Sequence, residues 1–85
     1  MNPYSIINHP YLTEKTMMLV ESNNSLEFVV RTNATKKQIK KAVEQLFDVK
    51  VEKVTTRIDK IGKRALVKLS PDYEAEEIGM RIGLF

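Results

Sequence analysis

Apolar residues recur along this 85-residue chain with two different periods. In LEFVVR (26–31), Leu26, Phe28 and Val30 fall on every second position, which predicts a strand with that set facing inward. In the following NATKKQIKKAVEQLF (33–47), Ile39, Ala42, Val43, Leu46 and Phe47 fall on one face of a helix. Thr35 is its expected N-cap, and Gln38 three residues on completes a T-x-x-Q capping box. An earlier helix is expected after Thr13, whose hydroxyl can accept a first-turn N–H, with Leu12 and Met17 spaced as a hydrophobic staple. Glu14 suits the positive end of that helix dipole, and Ser22-Asn23-Asn24 ends the helix.

The period returns to two in VKVEKVTTRI (49–58). Val54, Thr56 and Ile58 alternate, while Val49 and Val51 are out of phase with them, so a bulge is expected near Glu52. Asp59–Lys63 is a short loop with Gly62 available for a positive φ. RALVKL (64–69) is the returning strand, with Ala65, Val67 and Leu69 inward. Ser70-Pro71-Asp72 has the form of a helix start, Ala75, Ile78 and Ile82 mark a last short helix, and Gly83 is placed to end it. The expected order is helix, strand, helix, hairpin, helix. One-faced strands with amphipathic helices predict an α+β fold, a small antiparallel sheet with helices packed on one face, spanning residues 1–85 as a single domain.

Composition narrows the classes of function. With no cysteine there is neither a disulfide framework nor a thiolate zinc site. The lone histidine, His9, sits before Pro10, and three scattered glycines make no phosphate-cradling loop. No nucleophile–base pair or metal-ligand spacing can be assembled, so neither an enzyme nor a cofactor is expected. Glu74, Glu76 and Glu77 are acids at a helix start, where the dipole favours them. No apolar run approaches the length of a membrane span and no signal-peptide pattern opens the chain, so a soluble cytoplasmic protein without direct membrane insertion is expected.

Charge is what changes the picture. The net charge is only +3, but residues 31–68 carry twelve Lys/Arg against four acids, whereas both ends are acidic. A basic middle points to a polyanionic partner. Its first cluster is Lys36, Lys37, Lys40 and Lys41 on the 33–47 helix. These four occupy one flank of the apolar stripe, while the other flank offers neutral Gln38 and Gln45. They crowd the N-terminal turns, where the dipole disfavours cations, and they form like-charge pairs four apart, each costing roughly 0.2–0.5 kcal/mol. Helix stability does not explain that placement, whereas phosphate binding does. The second cluster is Arg57, Lys60, Lys63 and Arg64 around the hairpin tip, with Lys15 as a further candidate. No strand carries the exposed aromatics of a base-stacking sheet, since Phe28 is in phase with the core and Tyr4, Tyr11 and Tyr73 lie elsewhere. Recognition of structured RNA by backbone and shape is therefore expected.

The ordered run of P-Y-L-T-E-K (10–15), A-T-K-K-Q-I-K-K-A-V-E-Q-L-F (34–47) and V-K-V-E-K-V-T-T (49–56) resembles the universal large-subunit ribosomal protein of family number twenty-three. The ending R-I-G-L-F (81–85) looks like its archaeal branch. The resemblance covers nearly the whole chain. It implies an α+β protein bound to large-subunit rRNA at the rim of the polypeptide exit tunnel, beside the small helical ribosomal protein of family twenty-nine. It also implies a share in the docking surface for the signal recognition particle, the protein-conducting channel and, in bacteria, trigger factor. The acid that meets trigger factor in the bacterial pattern matches Glu14 here, which makes Glu14 the factor-docking candidate. Two departures stand out. Val54-Thr55-Thr56 replaces the frequent V-N-T, which puts an Asn contact there in doubt. The long basic hairpin loop of bacterial members is also absent, and at roughly 3.3 Å per residue Asp59–Lys63 makes only a blunt tip. A free-standing RNA-binding regulator, or a protein-interaction domain using the acidic ends, remains an alternative.

Overall fold

The computed structural model describes residues 2–83, so Leu84 and Phe85 of the R-I-G-L-F ending lie outside the described residues. Its elements are α1 (Pro3–Ile6), β1 (Ile7–Pro10), α2 (Glu14–Asn23), β2 (Ser25–Val30), α3 (Lys36–Phe47), β3 (Val51–Asp59), β4 (Gly62–Leu69) and α4 (Ala75–Arg81). The four strands form one antiparallel sheet in the order β1-β2-β4-β3. The α+β class and the antiparallel sheet are as the sequence predicts. The bulge near Glu52 is also present, as a shift in the β3–β4 register between Val51 and Lys53.

Residues 3–10 form two elements that the sequence pattern does not predict. Asn2 caps α1, its side chain accepting the Tyr4 N–H at 3.0 Å, and Pro3 begins the helix. The signal is an Asn-Pro pair, legible in principle but followed by only one helical turn. β1 then pairs with Phe28–Val30 at the sheet edge, the place where a strand tolerates a proline such as Pro10.

The pairing register sorts side chains between two faces. Leu26, Phe28 and Val30 share a face with Ala65, Val67 and Val54, as alternation predicts. α3 packs there through Ile39, Ala42 and Val43, and Phe47 stacks on Phe28 with ring centroids 5.6 Å apart. Ile6, Ala75 and Ile78 join the same core. One-sided packing thus holds for α1, α3 and α4. α2 departs from it: Thr16 and Leu19 line a cavity together with Glu27, Thr55 and Leu66, which belong to the opposite face. β2, central in the sheet, is buried along its whole length.

α2 starts where expected, with Thr13 as its N-cap, and Thr16 completes a capping box that the sequence pattern does not single out. Thr13 Oγ1 accepts the Thr16 N–H at 3.2 Å, and Thr16 Oγ1 accepts the Thr13 N–H at 2.8 Å. The expected staple is not buried, for Leu12 and Met17 are 45% and 39% exposed. α4 starts later than Ser70-Pro71-Asp72 suggests. Those residues form a turn closed by Tyr73 N–H to Ser70 O at 3.0 Å, and the helix begins at Ala75. Its first N–H is taken by Asn24 Oδ1 at 2.7 Å, 51 residues away in sequence.

Asn24 is therefore shared by three elements. It ends α2 in the left-handed conformation (φ 51), its carbonyl accepts the Leu69 N–H, and its amide donates to Tyr73 O at 2.7 Å. Asn24→Ala forces a Cβ-bearing residue without a local amide into the left-handed region and strands a helix N–H. The expected loss is about 2–3 kcal/mol in urea unfolding. Asn24→Gly, which restores backbone freedom only, should recover part of that loss.

Candidate nucleic-acid interface

The capping box at the start of α3 sets which flank of that helix meets solvent. Thr35 Oγ1 accepts the Gln38 N–H at 3.2 Å, and Gln38 Oε1 accepts the Thr35 N–H at 3.0 Å. With Ile39, Ala42 and Val43 buried, Lys36, Lys37, Lys40 and Lys41 are turned outward and exposed. Glu44, the acid nearest to them on the helix, is drawn away. Its Oε2 accepts the Val51 N–H at 2.9 Å and so ties α3 to the start of β3. Among the described residues no ion pair involves any of the four lysines. Four uncompensated cations on one helix flank make a strip of positive potential suited to a row of phosphates.

The hairpin is held against this helix. Lys63 Nζ donates to Ala34 O at 2.6 Å, immediately before the α3 cap, which brings the two basic elements together at one end of the molecule. The tip is a two-residue turn, Lys60-Ile61, between paired Asp59 and Gly62, and Gly62 has the expected positive φ of 126°. Lys60 projects freely, beside exposed Ile58 and Ile61.

Arg57 and Arg64 do not match their expected equivalence. Arg57 is half-exposed, with Glu27 at 3.9 Å. Arg64 is only 8% exposed; it pairs with Asp59 and with Glu27 at 3.7 Å, and its guanidinium lies 4.5 Å from the centre of the Tyr11 ring. Arg64 and Lys63 are thus committed to partners inside the chain, the candidate cations exposed without an ion pair are Lys15, Lys36, Lys37, Lys40, Lys41 and Lys60, and Arg57 is exposed but loosely paired with Glu27. Lys15 and Glu14 are exposed in the first turn of α2. Lys15 borders the cavity on the opposite sheet face, together with Arg57.

The sequence that builds this surface has counterparts among known proteins. The family model for ribosomal protein L23 matches residues 5–68. The chain belongs to that family. Three of its curated relatives are archaeal. One is the large ribosomal subunit protein uL23 of Methanothermobacter thermautotrophicus, 44% identical with both chains fully covered. The protein of the same name from Methanobrevibacter smithii is 48% identical, also over the full length of both. That of Thermoplasma acidophilum is 50% identical over 94% of this chain and 95% of its own.

Two residues of the site escape sequence reasoning. Tyr11 is remote from the sheet in the sequence pattern, yet its N–H donates to Glu27 O at 2.9 Å and extends the β1–β2 ladder. Glu27 reads as the solvent side of an alternating strand, yet it is 7% exposed. Only the strand order, with β4 returning between β2 and β3, shows that Arg64 must face it.

Among the described residues no His, Asp and Glu group could hold a metal, and no helix is long and apolar enough to cross a membrane. Asp59 governs the tip. Desolvation raises its pKa, but the Ile61 N–H bond and the charges of Arg64 and Arg57 outweigh it and leave the carboxyl below its ordinary 3.8. A depressed carboxyl stabilises the folded state above its unfolded pKa, and that contribution is lost as pH falls through the folded value. The Ile61 amide resonance should therefore titrate with a midpoint below 3.8, and Asp59→Asn should abolish the titration.

Proposed function

We propose that this chain is a non-catalytic structural constituent of the large ribosomal subunit, held on large-subunit rRNA chiefly through phosphate contacts. The observation that carries this reading is the unpaired α3 flank of Lys36, Lys37, Lys40 and Lys41, with the hairpin fastened beside it by Lys63. Cations that replace condensed counterions gain from their release, and lysines with no internal ion pair break none when they bind. Lys60 and Arg57 extend the contact along the hairpin, and Lys15 adds one from α2. Lys63 and Arg64 serve it from inside, by fixing where the hairpin lies.

At the level of the assembly, the proposed place is the rim of the exit tunnel in the cytoplasmic large subunit, beside the ribosomal protein of family twenty-nine. There the exposed Glu14 is available as part of a landing surface for the signal recognition particle and the protein-conducting channel. The two-residue turn at Lys60-Ile61 supports docking on rRNA at the surface, because it is too short to line the tunnel deeply.

The salt dependence of binding to a large-subunit rRNA fragment tests the contact. Removing one lysine–phosphate pair should shallow the slope of log K against log salt by about 0.7–0.9. The Lys36→Ala/Lys40→Ala double variant is therefore expected to bind more weakly with a slope lower by about 1.4–1.8. An unchanged slope would remove the helix from the interface.

A further inference from the structure

The polar face of the sheet holds a buried pair, Glu27 and Arg64, that phosphate binding does not use. A cavity of about 340 Å³ lies between α2 and that face. Its floor contains Glu27 and Arg64, both more than nine-tenths buried. Glu27 Oε2 and Arg64 Nε are sealed from solvent, and neither has a hydrogen-bond partner. The cations beside Glu27 stand at 3.7 and 3.9 Å, beyond hydrogen-bond length. A buried carboxylate short of donors, next to a guanidinium short of an acceptor, is a pair built to be completed by something else.

The chemistry of what completes it follows from the surroundings. Arg57, Arg64 and Lys15 already line the cavity, so a further cationic donor would be repelled. The missing donors must be neutral N–H groups, adjacent to an acceptor that Arg64 can reach. The walls beside them are flat or apolar, from Tyr11, Leu19 and Leu66, and they suit a planar ring. Lys15, Arg57 and the Thr55 hydroxyl border the same cavity, where they can meet a phosphate or sugar. Guanine has this edge: N1–H and the 2-amino group side by side for a carboxylate, with O6 next to them for a guanidinium N–H. Adenine and uracil present only a single donor position on the equivalent edge.

We propose that this cavity receives one guanine base, unstacked from RNA, which displaces the Arg57 side chain and uncovers the pair, so that the Glu27 carboxylate accepts from N1–H and the 2-amino group and the Arg64 guanidinium donates to O6. The site rests on the RNA-binding reading above and adds base selection to it. Arg57, half-exposed and 3.9 Å from Glu27, is the side that yields as the base enters.

The test uses the isolated chain and six-nucleotide RNAs of uridine carrying one central guanine, inosine or adenine, with GMP and AMP as free nucleotides. The guanine oligomer should bind about tenfold tighter than the adenine one, the discrimination of one bidentate base contact, and inosine should fall between them. In NMR of the unmodified chain, GMP should shift the amides of Tyr11, Glu27, Thr55 and Arg64, a readout that needs no variant to fold. If only the oligomer produces these shifts, the site takes guanine from RNA; if GMP suffices, it also takes the free nucleotide. Glu27→Gln should erase the guanine preference. Equal affinity for all three oligomers, or GMP shifts confined to α3, overturns the proposal. The rRNA-fragment measurement keeps the two readings separate. Fragment binding without guanine preference removes the cavity site and leaves the proposed function standing. Guanine preference without fragment binding does the reverse.

Discussion

The structure is organised around a strand with no solvent side. β2 runs between β1 and β4, its alternating apolar set is covered by α3, and its other set lies under α2 and the polar face. Glu27 cannot reach bulk water from such a strand, and an isolated buried carboxylate would cost several kcal/mol. Arg64 answers it from β4, Asp59 balances Arg64 from the hairpin, and Tyr11 covers the guanidinium. One buried acid therefore dictates the identity of residues on three other segments. It also explains why a basic chain keeps part of its charge inside.

The two sheet faces carry different kinds of charge in consequence. On the apolar side α3 is attached by its buried carbon contacts and by the Glu44–Val51 bond, neither of which uses its four lysines, so these remain free for an outside anion. On the polar side Arg57 and Arg64 are engaged with Glu27 or Asp59, and binding there depends on shape and on particular hydrogen bonds. The same residue type in the same basic segment does different work according to which face of the sheet it meets.

What can be read from the chain follows the range over which each interaction acts. The Thr35–Gln38 box, the bulge at Glu52 and the inward set Ala65, Val67 and Leu69 are determined by near neighbours, and all are legible. The exposed α3 lysines are legible for the same reason, since helical spacing alone places them. The start of α4 is not, because its first N–H is satisfied by Asn24 and no local residue announces that. β1 is hidden by its four-residue length and its proline, and the burial of Glu27 and Arg64 by a strand order that no local pattern encodes.

The cap that Asn24 provides for α4 also bears on the order in which the molecule can be made. During synthesis α2 and β2 emerge long before Ala75, so the Asn24 side chain must wait, hydrated, until Ala75, 51 positions further on, has been added. Until then the left-handed turn that separates α2 from β2 lacks most of its long-range support, and the sheet lacks the fastening at the end of β4. The last helix is thus a clasp. A chain that has not yet reached Ala75 keeps an open seam, which the arrival of α4 closes.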